Sequence, residues 1–186
     1  MAKSWFSWLT GKDYKGETRR AEVQRPAIKI APQDIDPFSG ALRWDRFMAM
    51  LEAEQAQGPG ALLIVDLSAR SGSAAAAAGQ KTEEILPWLG QSIQQAIRAD
   101  DLLAHIEGYR FAALLRGAPQ EVATAVSERI LESVDDTIFM TAEGIVHLGV
   151  TIAGAVYQQS PGPDALDAAM ANLNIAKDTG RTLFVQ

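Results

Sequence analysis

The strongest constraint in this sequence is a nearly unbroken apolar run at residues 61–67, ALLIVDL, in which Asp66 is the single charged residue. Its length suits a β-strand, and a strand that is apolar at successive positions is buried on both faces of its sheet. The sequence Gly58-Pro59-Gly60 comes directly before it and ends the preceding helical pattern. We therefore expect residues 61–67 to form a central strand.

Hydrophobic periodicity predicts further elements on both sides of this strand. Helical spacing covers four stretches, at residues 42–57, 81–98, 119–134 and 164–178. Strand patterns cover four more, at residues 102–106, 111–115, 145–157 and 182–185. Asp164 is expected to cap the last helix and Gly180 to end it. The resulting order, α-β-α-β-β-α-β-α-β, is typical of one α/β or α+β domain with a central sheet.

Charge is distributed unevenly along the chain. Residues 1–30 carry seven Lys/Arg and three acids, a net +4, whereas the remainder is −10, which gives −6 overall. The acidic body argues against a nucleic-acid partner, because phosphate contacts need clustered Lys/Arg. We interpret residues 1–33 as a basic tail and linker and residues 34–186 as the domain.

The basic tail contains an aromatic cluster, Trp5, Phe6 and Trp8. It is too short to span a bilayer and lacks the apolar run of a secretory signal. Three interpretations stay open: a tail that is poorly ordered or packs on the body, a contact with a protein partner, and a peripheral contact with a membrane surface.

Cysteine and histidine usage excludes several kinds of site. The chain has no cysteine, which rules out disulfides and thiolate chemistry and suits the cytoplasm. His105 and His147 stand alone in two predicted strands, so neither a zinc site nor a Ser-His-Asp triad is expected. Both should make local hydrogen bonds.

The order of elements and several motifs resemble the GGDEF domain of bacterial diguanylate cyclases over roughly residues 36–186. The sequence DPFSG at 36–40 with Phe47 is similar to the family's D-x-L-T-G-L…F entry, and residues 61–67 resemble its first strand, which ends in a metal-binding aspartate. Residues 169–181, ending in IAKDTGR, are similar to the closing A-D-x-A-L-Y-x-A-K-x-x-G-R, with Met170 and Asn174 departing from it. The resemblance implies a nucleotidyl cyclase-type domain with a central mixed, mostly antiparallel sheet flanked by helices.

The resemblance does not extend to the catalytic residues of the signature turn, which falls here on EGYRF, the residues Glu107, Gly108, Tyr109, Arg110 and Phe111. In such cyclases the acid at the third position and the strand-end aspartate hold two metal ions, and the glutamate at the fourth helps to deprotonate the attacking hydroxyl. Here these positions are Tyr109 and Arg110. An arginine adds positive charge where cations should bind, and it cannot act as a base.

Further family residues are missing upstream of the turn. The Ser/Gly/Ala-rich run at residues 68–80 stands in place of the family's F-K-x-I-N-D…G-H-x-x-G-D stretch, which contacts base and ribose. Asp66 alone survives as a candidate metal ligand. The resemblance therefore implies an inactive homologue, with no catalytic residues, no bound metal and no cofactor.

The family's inhibitory-site motif, R-x-x-D, does carry over as Arg98-Ala-Asp-Asp101, with five residues between Asp101 and Glu107 as in the family. In the family this pair binds cyclic di-GMP, helped by an arginine from the next helix, and Arg129 falls at that spacing. A guanidinium can donate to guanine O6 and N7, and a carboxylate can accept from N1 and N2. Arg98 and Asp101 fit a salt bridge at a helix end equally well, and Arg129 fits a solvated helix position.

Two functions follow as expectations. The first is a cyclic di-GMP-responsive regulatory module that acts on a protein partner, with ligand-dependent pairing of two copies. The second is a protein-interaction scaffold with no nucleotide ligand. Mononucleotide binding, with Lys177, Arg181 and Arg110 on the phosphates, is less favoured, and residual cyclase activity is the least favoured of all.

Overall fold

The computed structural model describes residues 29–53, 58–68, 82–142 and 144–186. The aromatic cluster at residues 5–8, most of the run at 68–80 and the predicted helix end near residue 57 lie outside these ranges. In chain order the elements are a 3-10 turn at Pro32–Asp34, β1 (Leu42–Arg43), α1 (Trp44–Ala53), β2 (Gly60–Leu67), α2 (Thr82–Ala96), β3 (Leu102–Glu107), β4 (Arg110–Arg116), α3 (Gln120–Asp135), β5 (Phe139–Thr141), β6 (Gly144–Val146), β7 (Val150–Tyr157), α4 (Pro163–Thr179) and β8 (Leu183–Val185).

The central strand predicted from the apolar run is confirmed as β2, whose eight residues are all buried. It lies between β4 and β7 and is antiparallel to both. The whole sheet has the order β1-β3-β4-β2-β7-β8, and its two outer pairs, β1 with β3 and β7 with β8, are parallel. The predicted mixed, mostly antiparallel sheet is therefore confirmed.

The helices cover both faces of the sheet, as the burial of β2 requires. On one face α2 and α3 enclose a core that contains Ile85, Leu89, Ile93 and Ile97, the apolar face predicted for α2. On the other face α1 and α4 enclose a second core around Phe47. Within the described ranges, no helix combines the length and the apolar character needed to span a bilayer.

The structure corrects the predicted boundaries at three places. Leu42, assigned to the first helix, lies in β1 and pairs with Ala104, because a partner strand distant in sequence decides the conformation of this short segment. The strand predicted at 145–157 is two strands, β6 and β7, and exposed His147 lies between them rather than in either. The last helix begins at Pro163 with Gly162 at its N-cap, so Asp164 lies in the first turn and is not the cap.

Candidate functional site

The signature turn and the end of β2 meet because of strand register. The pairing of Val65 with Phe111 brings Asp66 opposite Arg110, the first residue of β4. Gly108 makes the bend before it with a φ of 53°, a left-handed conformation that glycine adopts at little cost. The predicted hairpin is confirmed, and Phe111 is fully buried below the turn.

The carboxylate of Asp66 is surrounded by donors. Arg110 donates to Oδ2 from Nε at 3.0 Å and from Nη2 at 2.9 Å. Lys177, in the last turn of α4, donates to the same oxygen at 2.6 Å, and the Leu67 backbone N–H donates to Oδ1 at 2.9 Å. The Asp66 side chain is only 12% exposed. Both of its oxygens are thus engaged by groups of the protein itself.

A fourth charged residue completes this network. Arg110 Nη1 donates to Glu107 Oε1 at 3.1 Å, across the turn. Two carboxylates and two cations, Asp66, Glu107, Arg110 and Lys177, therefore form one charge-balanced group, which we call the ion cluster. In the described part of the chain, no group of three or more His, Cys, Asp or Glu side chains is arranged to hold a metal ion.

The side chain of Tyr109 occupies the third position of the turn and is partly buried against the α2–α3 core. Its hydroxyl is buried and makes no hydrogen bond. A phenol cannot supply the anionic oxygens that Mg²⁺ prefers. This position contributes packing rather than a metal ligand.

His105 and Asp36 tie the turn to the loop before β1, a link that sequence reasoning missed. His105 Nε2 lies 2.9 Å from the Gly108 carbonyl oxygen, and Nδ1 lies 3.5 Å from Asp36 Oδ2. Burial raises the pKa of the Asp36 carboxyl, but hydrogen bonds from Ser39 and the charge of His105 outweigh burial and leave that pKa below its ordinary value of 3.8. The Asp-x-x-Ser spacing was the available signal, because such side chains accept from nearby backbone N–H groups.

The candidate ligand residues Arg98, Asp101 and Arg129 come together at the C-terminal end of α2. Arg129, on α3, donates from Nε to the Ala96 carbonyl oxygen at 2.6 Å. Ala96 is two positions before Arg98 in the sequence, so Arg129 contacts the same end of α2. Asp101 is 4% exposed and accepts from the backbone N–H of Arg98 and of Arg116, both at 3.1 Å. The two arginine side chains are partly exposed. One buried carboxylate and two partly exposed arginine residues therefore share this end of the helix.

The two candidate phosphate contacts are placed differently. Lys177 belongs to the ion cluster, whereas the Arg181 guanidinium carbon lies 5.4 Å from the centre of the Phe184 ring. A cation at this distance over an aromatic face is attracted by the ring.

Comparisons with known proteins give one consistent result. Residues 46–183 match the family model described as "Diguanylate cyclase, GGDEF domain". The chain is 35% identical over 107 residues to the probable diguanylate cyclase DgcT of Escherichia coli (strain K12), a match that covers 55% of this chain and 24% of that protein. The chain thus spans about a quarter of the length of this relative.

Solved structures show the same fold. The FimX GGDEF domain from Pseudomonas aeruginosa superposes with a TM-score of 0.72 at 21% identity, over 82% of this chain and 99% of that one. The coiled coil and GGDEF domain of DgcB from Caulobacter crescentus, in complex with c-di-GMP, gives a TM-score of 0.69 at 18% identity, over 83% of this chain and 86% of that one.

Proposed function

Since this chain belongs to the GGDEF domain family, we propose that it has lost the cyclase reaction and acts as a regulatory module that responds to cyclic di-GMP. The ligand is proposed to bind where Arg98, Asp101 and Arg129 converge at the end of α2. This convergence is the observation that carries the proposal. The domain boundary at residue 34 and the protein partner stay predictions.

The loss of catalysis is supported by the ion cluster. Two-metal phosphoryl transfer needs carboxylates that are free to bind Mg²⁺ and to stabilise the attacking and leaving oxygens. Here the Oδ2 atom of Asp66 accepts three hydrogen bonds from two cations. A divalent ion at this position would have to displace Arg110 and Lys177 and would be repelled by both.

Ligand binding is supported by the chemistry of the three converging residues. Guanine offers O6 and N7 to a guanidinium fork, and two arginines are partly exposed at this end of α2. Arg129 is oriented by the Ala96 carbonyl, so its guanidinium is held in place before any ligand arrives. The Caulobacter structure is described as a complex with c-di-GMP, which shows that a domain of this fold takes that ligand.

One observation favours the alternative, a scaffold without a nucleotide ligand. Asp101 is 4% exposed, and each of its oxygens accepts a backbone N–H, so the carboxylate already stabilises the turn between α2 and β3. Binding guanine N1 and N2 would require remaining lone pairs of this carboxylate to become accessible.

Calorimetric titration of the full chain with cyclic di-GMP separates the two functions. We expect binding by the wild type, no detectable binding by Arg98→Ala, and unchanged binding by Arg43→Ala, an exposed arginine on β1. At about 100 times the dissociation constant, the ligand should stabilise the fold by about 2.7 kcal/mol, or about 5 °C or more in melting temperature. Equal binding by wild type and Arg98→Ala would refute this ligand site, and no binding heat from either protein would favour the scaffold.

The loss of catalysis has its own test. Wild-type protein incubated with GTP and Mg²⁺ should yield no cyclic di-GMP by chromatography, whereas an active family member run in parallel should. Product above the no-enzyme level would contradict the proposal.

Light scattering with and without cyclic di-GMP reports whether the ligand pairs two copies.

A further inference from the structure

A second surface lies on the same face of the sheet, away from the arginine-rich end of α2. It consists of four large apolar side chains, Trp88, Ile138, Met140 and Ile145, which are 47%, 58%, 69% and 64% exposed. We call it the hairpin patch. It holds four of the seven large apolar side chains that are exposed in the described part of the chain.

The hairpin of β5 and β6 carries Met140 and Ile145, and Ile138 directly precedes β5. Met140 pairs directly with Ile145 across the two strands, so their side chains are neighbours. Phe139, which alternates with Ile138 and Met140, is fully buried and anchors the hairpin in the core. The hairpin therefore presents Ile138 and Met140 on the side opposite the buried Phe139.

Two hydrogen bonds fasten the hairpin to α2 on either side of Trp88. The Ala142 backbone N–H donates to Glu84 Oε2 at 3.2 Å, and the hydroxyls of Ser92 and Thr137 are 2.8 Å apart. Glu84 and Ser92 are each one helical turn from Trp88, so the stripe of α2 that contains Trp88 faces the hairpin. The four exposed apolar side chains therefore lie where α2 and the hairpin meet.

The residues around the patch are acidic. The stretches 82–97 and 130–149, which build α2, the end of α3 and the hairpin, contain six acids and no Lys or Arg. Among the described residues, Glu83, Glu132, Asp135 and Asp136 are exposed. Lys81, which precedes the first stretch, lies outside the described residues. A second copy of the chain would bring like charges together here, which is unfavourable.

We propose that the hairpin patch docks a basic amphipathic segment of a partner protein, with large apolar side chains on one face and Lys/Arg on the other. Contiguous exposed apolar surface with a polar rim is typical of protein interaction sites. The acidic residues around the patch favour a positively charged partner, because complementary potentials promote encounter and like charges oppose it. This inference does not depend on cyclic di-GMP binding.

The test uses the full chain and a fluorescein-labelled synthetic Leu/Lys peptide of about 18 residues, about five helical turns. We expect fluorescence anisotropy to report saturable binding, weakened about tenfold or more by Met140→Ser with Ile145→Ser. Phe38→Ser with Ile175→Ser is the matched control, since both residues are exposed apolar positions outside the patch, and it should leave the affinity unchanged. Circular dichroism melts check that both double variants fold.

The outcomes separate the proposed occupant from the others. A Leu/Glu peptide that binds as well as the Leu/Lys peptide, or a control pair that weakens binding equally, would overturn the proposal. A wild-type dimer that Met140→Ser with Ile145→Ser turns into a monomer would make a second copy the occupant. If the peptide binds only after Trp5→Ser and Trp8→Ser are introduced, the occupant is the chain's own basic N-terminal segment.

Discussion

Replacing Arg110 by alanine should destabilise the fold measurably, because this arginine carries most of the hydrogen bonding in the ion cluster. The substitution removes two donors from Asp66 Oδ2 and one from Glu107 Oε1. Lys177 remains on Asp66 at 2.6 Å, so the buried carboxylate keeps one cationic partner. The cost is therefore that of a weakened ion pair and not of an isolated buried charge.

The magnitude follows from the burial of the partners. Hydrogen bonds to charged groups contribute about 1.5–3 kcal/mol, and breaking a buried pair outright costs about 3–5 kcal/mol. The Arg110 side chain is 25% exposed and Lys177 remains, so we place the loss at about 2 kcal/mol. Glu107 is 74% exposed, and its pairing adds about 0–1 kcal/mol. For a chain of this size, 2 kcal/mol lowers the melting temperature by about 4–8 °C.

Urea unfolding and thermal melts of four proteins test this reasoning: wild type, Arg110→Ala, Asp66→Asn and the double variant. Asp66→Asn alone leaves Arg110 and Lys177 together with only the exposed Glu107 as an anion, and it should be costly. In the Arg110→Ala background it should cost less, with a coupling energy of about 1–2 kcal/mol. Arg181→Ala is the control and should change stability by no more than about 0.5–1 kcal/mol, the size of its exposed contact with Phe184. An Arg110→Ala variant with the melting temperature of the wild type would contradict this expectation, and so would additive free-energy costs of the two substitutions.

Three other positions give sharp expectations. Gly90→Ala should destabilise, although helix propensity alone predicts a gain of about 1 kcal/mol, because the new Cβ would lie 2.2 Å from the Ser39 carbonyl oxygen; a higher melting temperature would contradict this. Gly154→Ala should cost about 1–3 kcal/mol in urea unfolding, since its Cβ would lie 2.8 Å from the Leu62 carbonyl oxygen; unaltered stability would mean that the sheet shifts freely. The pKa of Asp36 is lowered on folding, so its contribution to the free energy of unfolding is present above the unfolded-state pKa and is lost as pH falls through the folded-state pKa. The wild type should therefore be more stable than Asp36→Asn at pH 7 and should lose that advantage in acid. A stability difference that does not change with pH would contradict a lowered pKa of Asp36 in the folded state.

Local pattern predicted the elements whose burial is continuous along the chain. The apolar run became β2, and the fourfold spacing of Ile85, Leu89 and Ile93 became the inner face of α2. The pattern failed where a distant partner decides the structure. Leu42 has helical spacing with the residues after it, but its pairing with Ala104 makes it a strand residue. The boundary at residues 147–149 is a second case, because alternation continues across the break between β6 and β7.

The residues of the candidate sites could be named from sequence, but their contacts could not. Arg110 was recognisable as a positive charge beside the position where the family binds metal ions. That it pairs with Asp66 follows from the register between β2 and β4, and that Lys177 joins them follows from where α4 ends against the sheet. Asp101 was assigned as a ligand residue from spacing alone. Its burial between two backbone N–H donors depends on how the turn before β3 closes.

The pairing of β2 on both edges also determines when this protein can fold during synthesis. Gly60 pairs with Arg116 on one side and with Tyr157 on the other, so both neighbours leave the ribosome long after β2 does. Such non-local pairing makes folding slow, and an apolar strand is prone to aggregate until its partner strands have been synthesised. A nascent chain that stops short of β7 leaves one edge of β2 unpaired, so translational pausing before residue 150 should increase its dependence on chaperones.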